Sequence, residues 1–541
     1  MNTFFVGSLF FISLAILLLV IKLSQKKWIN VLLYSINLTI VYILFYHYLY
    51  AHYDGYLCLM PFFFVIAFIM IALLWYNENP KSKPRKGENV FVLHSDKGDI
   101  EFYYPRDNFL VFGGAGSGKT ASIGKPLLEQ FIKNNWAGFI YDYKDFDYTK
   151  TAYNLIKKYN YPYHFYQVSF TDMCRTHRFN VLDKRVVDKE NLLFQVMDDF
   201  LRSMLPTDAK TDEWYNGALG LLKGVAVRFF NFKGEYERLC TLPHILNFIL
   251  LASSEELITF LEGDLMARRV AGAFLGARSS ERTRDSYLST LNNYITNLAT
   301  NKNVCYVLSG NDFVFNLTDP DDPKMFAISN NFALESLISP IVAMLVPIAA
   351  RKIEFGNQVK FAFILDEMTT FKVNNFQNMP SVLREYNAAF LIMTQSGSKL
   401  EKVYGKNDRA AIEANCANIF LGRTKDVEAL KYYPLFFGKE EKEKKSYTAG
   451  SSSGRSNSSI TRNKQKEEVY DTNAFAELKQ GEFILSAGES NYKRLKTKFK
   501  MFQLNEEPLP IIKLTTEKEV DENFESIGKD CEMLLQQICG A

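Results

Sequence analysis

The residues Gly113-Gly114-Ala115-Gly116-Ser117-Gly118-Lys119-Thr120 carry the spacing G-x-x-x-x-G-K-[ST]. Glycines at that spacing let a loop curl until several backbone N–H groups point inward at phosphate oxygens. Lys119 can reach β- and γ-phosphates, and the Thr120 hydroxyl can hold Mg²⁺. The backbone from Gly113 to Ala121 is the candidate cradle for the phosphates of ATP. A second stretch, Phe361-Ala362-Phe363-Ile364-Leu365-Asp366-Glu367, is an apolar run ending in two carboxylates. Asp366 would complete the Mg²⁺ shell with Thr120, and Glu367 would orient and polarise an attacking water. Gln395 ends a third apolar run, Phe390 to Thr394. Its amide can sense a γ-phosphate, or simply pair with a loop as strand-end amides do. Arg384 lies between the last two runs. An arginine there can reach the ATP of a neighbouring subunit, or form a surface salt bridge.

These groups need a scaffold that brings strand ends together. Phe109-Leu110-Val111-Phe112 reads as a buried strand feeding the glycine-rich loop, and Ala121 to Lys133 as the helix after it. That helix would aim its positive end at the phosphates. Ala137 to Tyr141, Tyr163 to Ser169, Lys324 to Ser329, Phe361 to Leu365, Ala388 to Met393 and Asn418 to Leu421 read as further strands. Strand and helix signals alternate, which predicts an α/β fold with a parallel sheet. Ahead of it, Glu88 to Leu93 and Ile100 to Tyr104 predict a small hairpin around Lys97-Gly98. Between Lys189 and Asn301 helical periodicity takes over: Leu192, Leu193, Val196 and Phe200, then Leu219, Leu222, Val225 and Phe229. This predicts an all-helical insertion. It carries Arg268, Arg269, Arg278, Arg282 and Arg284, which read as a solvated face diluted by Glu281 and Asp285. Residues 439–468 are Ser/Lys/Glu-rich and almost free of apolar side chains, which predicts a mobile loop. Gly481 to Ser486 returns the chain to the sheet, and 516–541 predicts a terminal amphipathic helix.

The chain has 541 residues, enough for two or three domains, and a net charge of only +3. Bulk charge therefore gives no argument for nucleic acid. Its seven cysteines are scattered and form no C-x-x-C pair, so no zinc site or disulfide framework is expected. Residues 1–76 are a different material. Thr3 to Ile21, Trp28 to Tyr53 and Tyr56 to Tyr76 contain no Asp, Glu, Lys or Arg, and each is long enough to span a bilayer. A cleaved signal peptide is the rival for the first, against which stands the lack of a basic leader. Lys22, Lys26 and Lys27, and then Lys81, Lys83, Arg85 and Lys86, predict cytoplasmic flanks, with the Ala51–Gly55 loop outside. A polar linker at 77–87 would join this anchor to the first part of the nucleotide-binding domain, 88–188. Residues 189–301 form the insertion and 302–515 the second part.

Leu365-Asp366-Glu367, Arg384, Thr394-Gln395-Ser396 with Lys399-Leu400, Tyr404-Gly405 and Asn415-Cys416 stand in the order and spacing of a known family. Together they resemble the TraG/TraD-type coupling proteins of conjugation and type IV secretion. Asp142-Tyr143-Lys144-Asp145, Arg178-Phe179-Asn180-Val181-Leu182 and the pair Trp214 and Ala218 add to the likeness. Val181 replaces a family proline, and Lys399 the second glutamine of Q-S-x-x-Q-L. The resemblance implies a RecA-like P-loop ATPase with a helical insertion and an N-terminal transmembrane anchor. It implies a hexamer in the bacterial inner membrane, multi-pass, with its ATPase domain cytoplasmic. Such a protein hands relaxase-bound single-stranded DNA to type IV secretion channel components. The residues leave two other motors open: a coupling receptor for protein effectors only, and a double-stranded DNA pump of the FtsK/HerA kind. A scaffold with structural nucleotide would not need Glu367.

Overall fold

In the computed structural model, residues 89–206, 209, 211–452 and 455–539 are described. The chain divides into two units, Met1–Lys83 and Pro84–Ala541, and every described residue lies in the second. The three expected spans and the whole linker at 77–87 fall outside the described residues.

A nine-stranded sheet organises the second unit. The hairpin comes first: β1 (Phe91–Ser95) pairs antiparallel with β2 (Gly98–Phe102). Then follow β3 (Phe109–Phe112), a wide turn of π-helix at Lys119–Gly124, and α1 (Lys125–Lys133). The sequence predicts regular helix from Ala121. Pro126 in the first turn of α1 has no N–H to give back to the preceding turn, which is wound loosely instead. Next are β4 (Ala137–Asp142), α2 (Asp147–Tyr159) and β5 (His164–Val168). After a helical stretch come β6 (Lys324–Ser329), β7 (Phe361–Leu365), β8 (Ala388–Thr394) and β9 (Asn418–Gly422). A separate ribbon, β10 (Lys439–Ser452) with β11 (Arg455–Glu468), precedes β12 (Glu482–Ser486) and β13 (Arg494–Lys498).

The sheet order is β13-β12-β9-β3-β8-β7-β4-β6-β5. The run from β9 to β5 is parallel, and β12 and β13 add an antiparallel edge. Parallel strands covered on both faces read as unbroken apolar runs, and β3, β7 and β8 are buried throughout. Alternation sorts their side chains. Phe109, Val111, Ile140, Ile364 and Leu391 pack toward α1, α2 and the β1–β2 hairpin. Leu110, Phe112, Phe139, Phe363 and Phe390 pack toward the helical region. Phe91 of β1 meets Phe131 of α1 edge-on at 4.9 Å and lies over Phe109 at 6.3 Å.

Between β5 and β6 the described regular structure is helical. Its larger helices are α3 (Glu190–Arg202), α4 (Glu213–Phe230), α5 (Leu242–Leu251), α6 (Ser254–Glu262), α7 (Glu281–Ala299) and α8 (Lys302–Leu308). After β6 comes α9 (Glu335–Arg351); with the 3-10 turn before it, Phe332–Arg351 is long and apolar enough to cross a membrane, but Ile341 to Ile348 are buried in the core. Following β8 come α10 (Gly397–Tyr404) and α11 (Lys406–Ala414). The terminal α12 (Glu517–Cys539) docks on the helical region. Its Asp530 takes a two-pronged bond from Arg238 at 2.6 and 2.7 Å, and its Asp521 pairs with Lys302 at 2.7 Å.

The expectation of a loop at 439–468 needs correcting. β10 and β11 pair in continuous register from Lys439↔Glu468 to Ser452↔Arg455. Composition reports whether a segment can bury a face; a two-stranded ribbon satisfies its backbone without one. The ribbon's base is fixed by Phe437 against Tyr470, 5.0 Å apart, and by Val469 N–H donating to Gly438 O at 3.2 Å.

Asn108 ties the P-loop strand to its neighbours. It is fully buried at a left-handed φ of 59°. Its Nδ2 donates to Pro380 O (3.0 Å) and Asn415 O (2.9 Å), and its Oδ1 accepts from Phe390 N–H (2.9 Å). Asn108→Ala strands these groups and puts a Cβ-bearing side chain with no local hydrogen bond at positive φ. We expect a loss of about 3 kcal/mol, read as a lower denaturation midpoint. Asn108→Gly should recover about 1 kcal/mol of it; an unchanged midpoint in both variants would refute the role.

Candidate nucleotide site

The loop after β3 is shaped by contacts from far along the chain. Gly113 N–H donates to Thr394 O at 3.2 Å, and Gly114 N–H to Arg423 O at 2.8 Å. Gly481 N–H donates to Ser117 O at 2.9 Å. Gly118 turns at φ 92°, and a Cβ there would sit 2.9 Å from Gly481 N, so only glycine fits. Lys119 folds back over the loop. Its Nζ donates to Gly113 O at 2.7 Å and stands 3.8 Å from Glu367 Oε2. Burial pushes the Lys119 pKa down, against the pull of Glu367 and Asp366.

Asp366 directly follows β7 and is almost wholly buried, and burial pushes its carboxyl up to about 7. Among the described residues its Oδ2 meets no hydrogen-bond partner. A buried carboxylate oxygen without a donor, in the field of the same Lys144 that donates to Thr120 Oγ1, suits a hard cation that prefers oxygen ligands. Thr120 and Asp366 thus fit Mg²⁺. No cluster of three or more His, Cys, Asp or Glu able to hold a metal exists among the described residues.

Glu367 adopts a left-handed φ of 51°, a conformation that costs a non-glycine residue about 1–3 kcal/mol. Its side chain is held by two hydroxyls: Thr369 Oγ1 at 2.8 Å and Thr394 Oγ1 at 3.2 Å, both donating to Oε1. The carboxylate is thereby aimed along the loop toward Lys119. Gln395 follows Thr394 at the same strand end, and its Oε1 accepts from Lys399 Nζ at 2.6 Å. The family's glutamine position thus supplies a cation here. Lys399 and Lys144 both bear on the Lys119 charge. Lys144 Nζ donates to Thr120 Oγ1 at 3.1 Å and opposes the upward shift of Asp366.

Arg384 is not brought to this cluster within one chain. It stands in the turn before β8, at the strand end opposite Gln395, half-exposed and 3.1 Å from Asp107 Oδ1. This is the intrachain ion pair that the sequence leaves open as the second reading of Arg384. Three functional contributors carry no role in the sequence reading: Thr369, Thr394 and Lys144. The motifs Thr394-Gln395-Ser396 and Asp142-Tyr143-Lys144-Asp145 contain two of them, but a pattern match does not say which side chain faces the phosphates. Other motif residues prove to be supports. Tyr404 is buried, donates to Phe371 O (3.1 Å) and accepts from Val373 N–H (3.3 Å), which fixes the loop after Glu367. Asn415 donates to Gln377 O at 2.9 Å. Trp214 packs beside Tyr287 with ring centres 5.5 Å apart, and Ala218 is buried. Of the arginine run, Arg284 pairs with Glu255 and Arg278 with Glu262.

A parallel α/β sheet with a phosphate loop at the end of a central strand, and an Asp-Glu pair two strands away, defines a P-loop nucleotide-binding protein. Residues 100–490 match the family model described as the type IV secretion-system coupling protein DNA-binding domain. The chain belongs to this family. Solved structures agree in fold. The unbound bacterial conjugative coupling protein TrwBdeltaN70 superposes with a TM-score of 0.61 at 16% identity, covering 78% of this chain and 92% of that one. TrwB with the non-hydrolysable GTP analogue GDPNP gives 0.60 at 15% identity, over 79% and 93%. TrwB with ADP and Mg²⁺ gives 0.58 at 15%, over 75% and 88%. Comparison with curated protein sequences gives no match.

The geometry separates binding from hydrolysis. Lys119→Ala should lose both nucleotide binding and turnover. Glu367→Gln should keep binding and slow turnover by about 10²–10⁴-fold, the usual contribution of a positioned proton acceptor. Hydrolysis at the native rate in either purified variant would remove these residues from the site.

Proposed function

We propose that the protein is a membrane-anchored ATPase that couples a relaxase–single-stranded DNA substrate to a type IV secretion channel. Family membership supports the coupling role. The observation that carries the enzymatic reading is Glu367, strained, doubly hydrogen-bonded and 3.8 Å from Lys119 beside the unpartnered Asp366 oxygen. A structural nucleotide site has no use for that arrangement. The TrwB complexes with ADP and Mg²⁺ and with a GTP analogue support a nucleoside triphosphate substrate here.

In this reading ATP is the substrate and Mg²⁺ its cofactor, held by Thr120 and Asp366. Held there, the ion would supply positive charge against the negative charge that develops on the phosphates. The backbone from Gly113 to Ala121 cradles the phosphates through N–H groups other than those of Gly113, Gly114 and Ser117, which already bond to Thr394 O, Arg423 O and Gly114 O, and Lys119 exchanges Gly113 O for a γ-phosphate oxygen. Glu367 orients the attacking water and takes its proton. Gln395 faces the γ-phosphate end, with Lys399 adding positive charge behind it. Lys144 hands Thr120 over as the substrate enters.

The assembly is a homo-oligomer, a hexamer in this reading, with each nucleotide between subunits. Arg384 serves the neighbour's γ-phosphate. Its exposure supports this, since an exposed ion pair with Asp107 is worth about 1 kcal/mol or less and is cheaply exchanged. Residues 1–76 anchor the ring as a multi-pass segment in the bacterial inner membrane, with residues 88–188 and 302–515 as the cytoplasmic motor and 189–301 as the substrate-receiving part. The apolar stretches and flanking lysines support this placement.

A transfer assay tests the reading. Cells whose only copy is Lys119→Ala, or a chain starting at residue 77, should transfer DNA at background level. Transfer at the native level by either would refute it. ATPase stimulated by single-stranded DNA separates the DNA motor from an effector receptor; stimulation by duplex alone would favour a double-stranded pump. For Arg384, the alanine variant should lose about 10³-fold in rate. Mixed rings of Arg384→Ala and Lys119→Ala subunits should regain activity, because an intact loop can then meet an intact arginine. No recovery in rings shown to be mixed would leave Arg384 as a surface ion pair.

A further inference from the structure

We infer that residues Phe502–Glu506 form the wall of a nucleoside subsite, so that the strap leading to α12 reads the ribose and base of the bound nucleotide. The inference rests on the P-loop being a nucleoside triphosphate site. A triphosphate in that loop has a direction. Its γ end lies by Lys119 and Glu367, so its α end emerges where the loop becomes helix, at Thr120 and Ala121. The loop's flank is closed by Arg423 O on Gly114 and by Gly481 packed on Gly118. A cavity of about 690 Å³ opens at Thr120 and Ala121. That is within the usual range of a small-ligand site. Lys125, Asp147 and the strap form its remaining walls.

The lining has the chemistry that a nucleoside requires. Phe502 and Leu504 are half-buried and offer apolar surface to a base. Gln503 and Asn505 are exposed and offer amides to its polar edge. Asp147 and Glu506 stand 2.6 and 3.7 Å from Lys125 Nζ. Carboxylates so held can accept from ribose hydroxyls. The wall is also preformed, which lowers the entropy cost of binding. Phe502 N–H donates to Ala121 O at 2.7 Å, Glu506 accepts from Thr151 Oγ1, and Glu507 exchanges two bonds with Asn154, each 2.9 Å.

The test uses the full chain with Mg²⁺ and the photoprobe 8-azido-ATP. After irradiation and trypsin, label that excess ATP prevents should fall in the peptide Met501–Lys513. ATP-protected label found only on other peptides would overturn the subsite and leave the P-loop reading standing. A second measurement compares ATP with inorganic tripolyphosphate. The exposed pair Gln503→Ala and Asn505→Ala should weaken ATP and ADP about tenfold, one hydrogen bond's worth of affinity. It should leave tripolyphosphate affinity unchanged. Equal weakening of both ligands, or unchanged ATP affinity, would count against the inference. A native chain that binds neither ATP nor tripolyphosphate would remove the P-loop reading itself.

Discussion

Two carboxylates must sit side by side at the end of a strand that is buried on both faces. Much else in the protein follows from that constraint. The buried Asp366 cannot stay ionised in an apolar surround without compensation. Two lysines from different elements supply it: Lys119 from the loop after β3 and Lys144 from the turn after β4. Each element reaches the site only because β3, β8, β7 and β4 are adjacent and parallel, which gathers their carboxyl ends on one edge. The compensation is incomplete. Burial still dominates at Asp366, and its spare oxygen meets no donor. A carboxylate left in that condition has a large affinity for a cation, so the cost of burying it is recovered when a metal binds.

The same edge is where strain is tolerated. Glu367 takes a left-handed backbone conformation immediately after the strand. The surrounding structure over-determines it: Thr370 N–H returns to Glu367 O at 3.0 Å, and Tyr404 pins the chain from Phe371 to Val373. Tyr404 of the Y-G motif thus acts on the loop that presents Glu367, and Asn415 of the N-C motif on the turn at Gln377 further along. This division explains why a motif can be recognisable and its residues still have unlike roles.

Much of the sheet was legible because its strands are short, fully apolar runs ending at glycine, aspartate or glutamine, as at Phe109–Phe112 and Phe361–Leu365. Parallel strands buried on both faces leave that signature. The helical region was legible from the spacing of Leu193, Val196 and Phe200 and of Leu222, Val225 and Phe229. What stayed hidden was relational. Thr394 and Thr369 look like ordinary hydroxyls until the fold sets both against one carboxylate oxygen. The ribbon at 439–468 was hidden because pairing needs no apolar face. The strap from Phe499 to Thr516 has almost no regular structure, so no periodicity marks it. Arg384 was visible as a motif residue, yet its place at the far end of β8 comes from strand direction, which only the topology supplies.

Sequence separation sets the remaining order. The phosphate loop receives Arg423 O, Gly481 N–H and, at Ala121, Phe502 N–H, from partners some three hundred residues or more away. Closing such loops costs entropy that grows slowly with length, so distance is no bar to stability. It does bar early formation, since long-range contacts are made only after that entropy is lost. The loop's backbone therefore reaches its final shape only when β9, β12 and the strap are all in place. α12 adds to the fastening, because Arg238 and Lys302 hold its far side to the helical region while Asn154 and Arg175 hold the strap that precedes it. A nucleotide site built in this way is assembled from both ends of the described fold rather than from its motif alone, and a chain truncated before Gly481 would keep G-x-x-x-x-G-K-T in its sequence while lacking the walls that shape it.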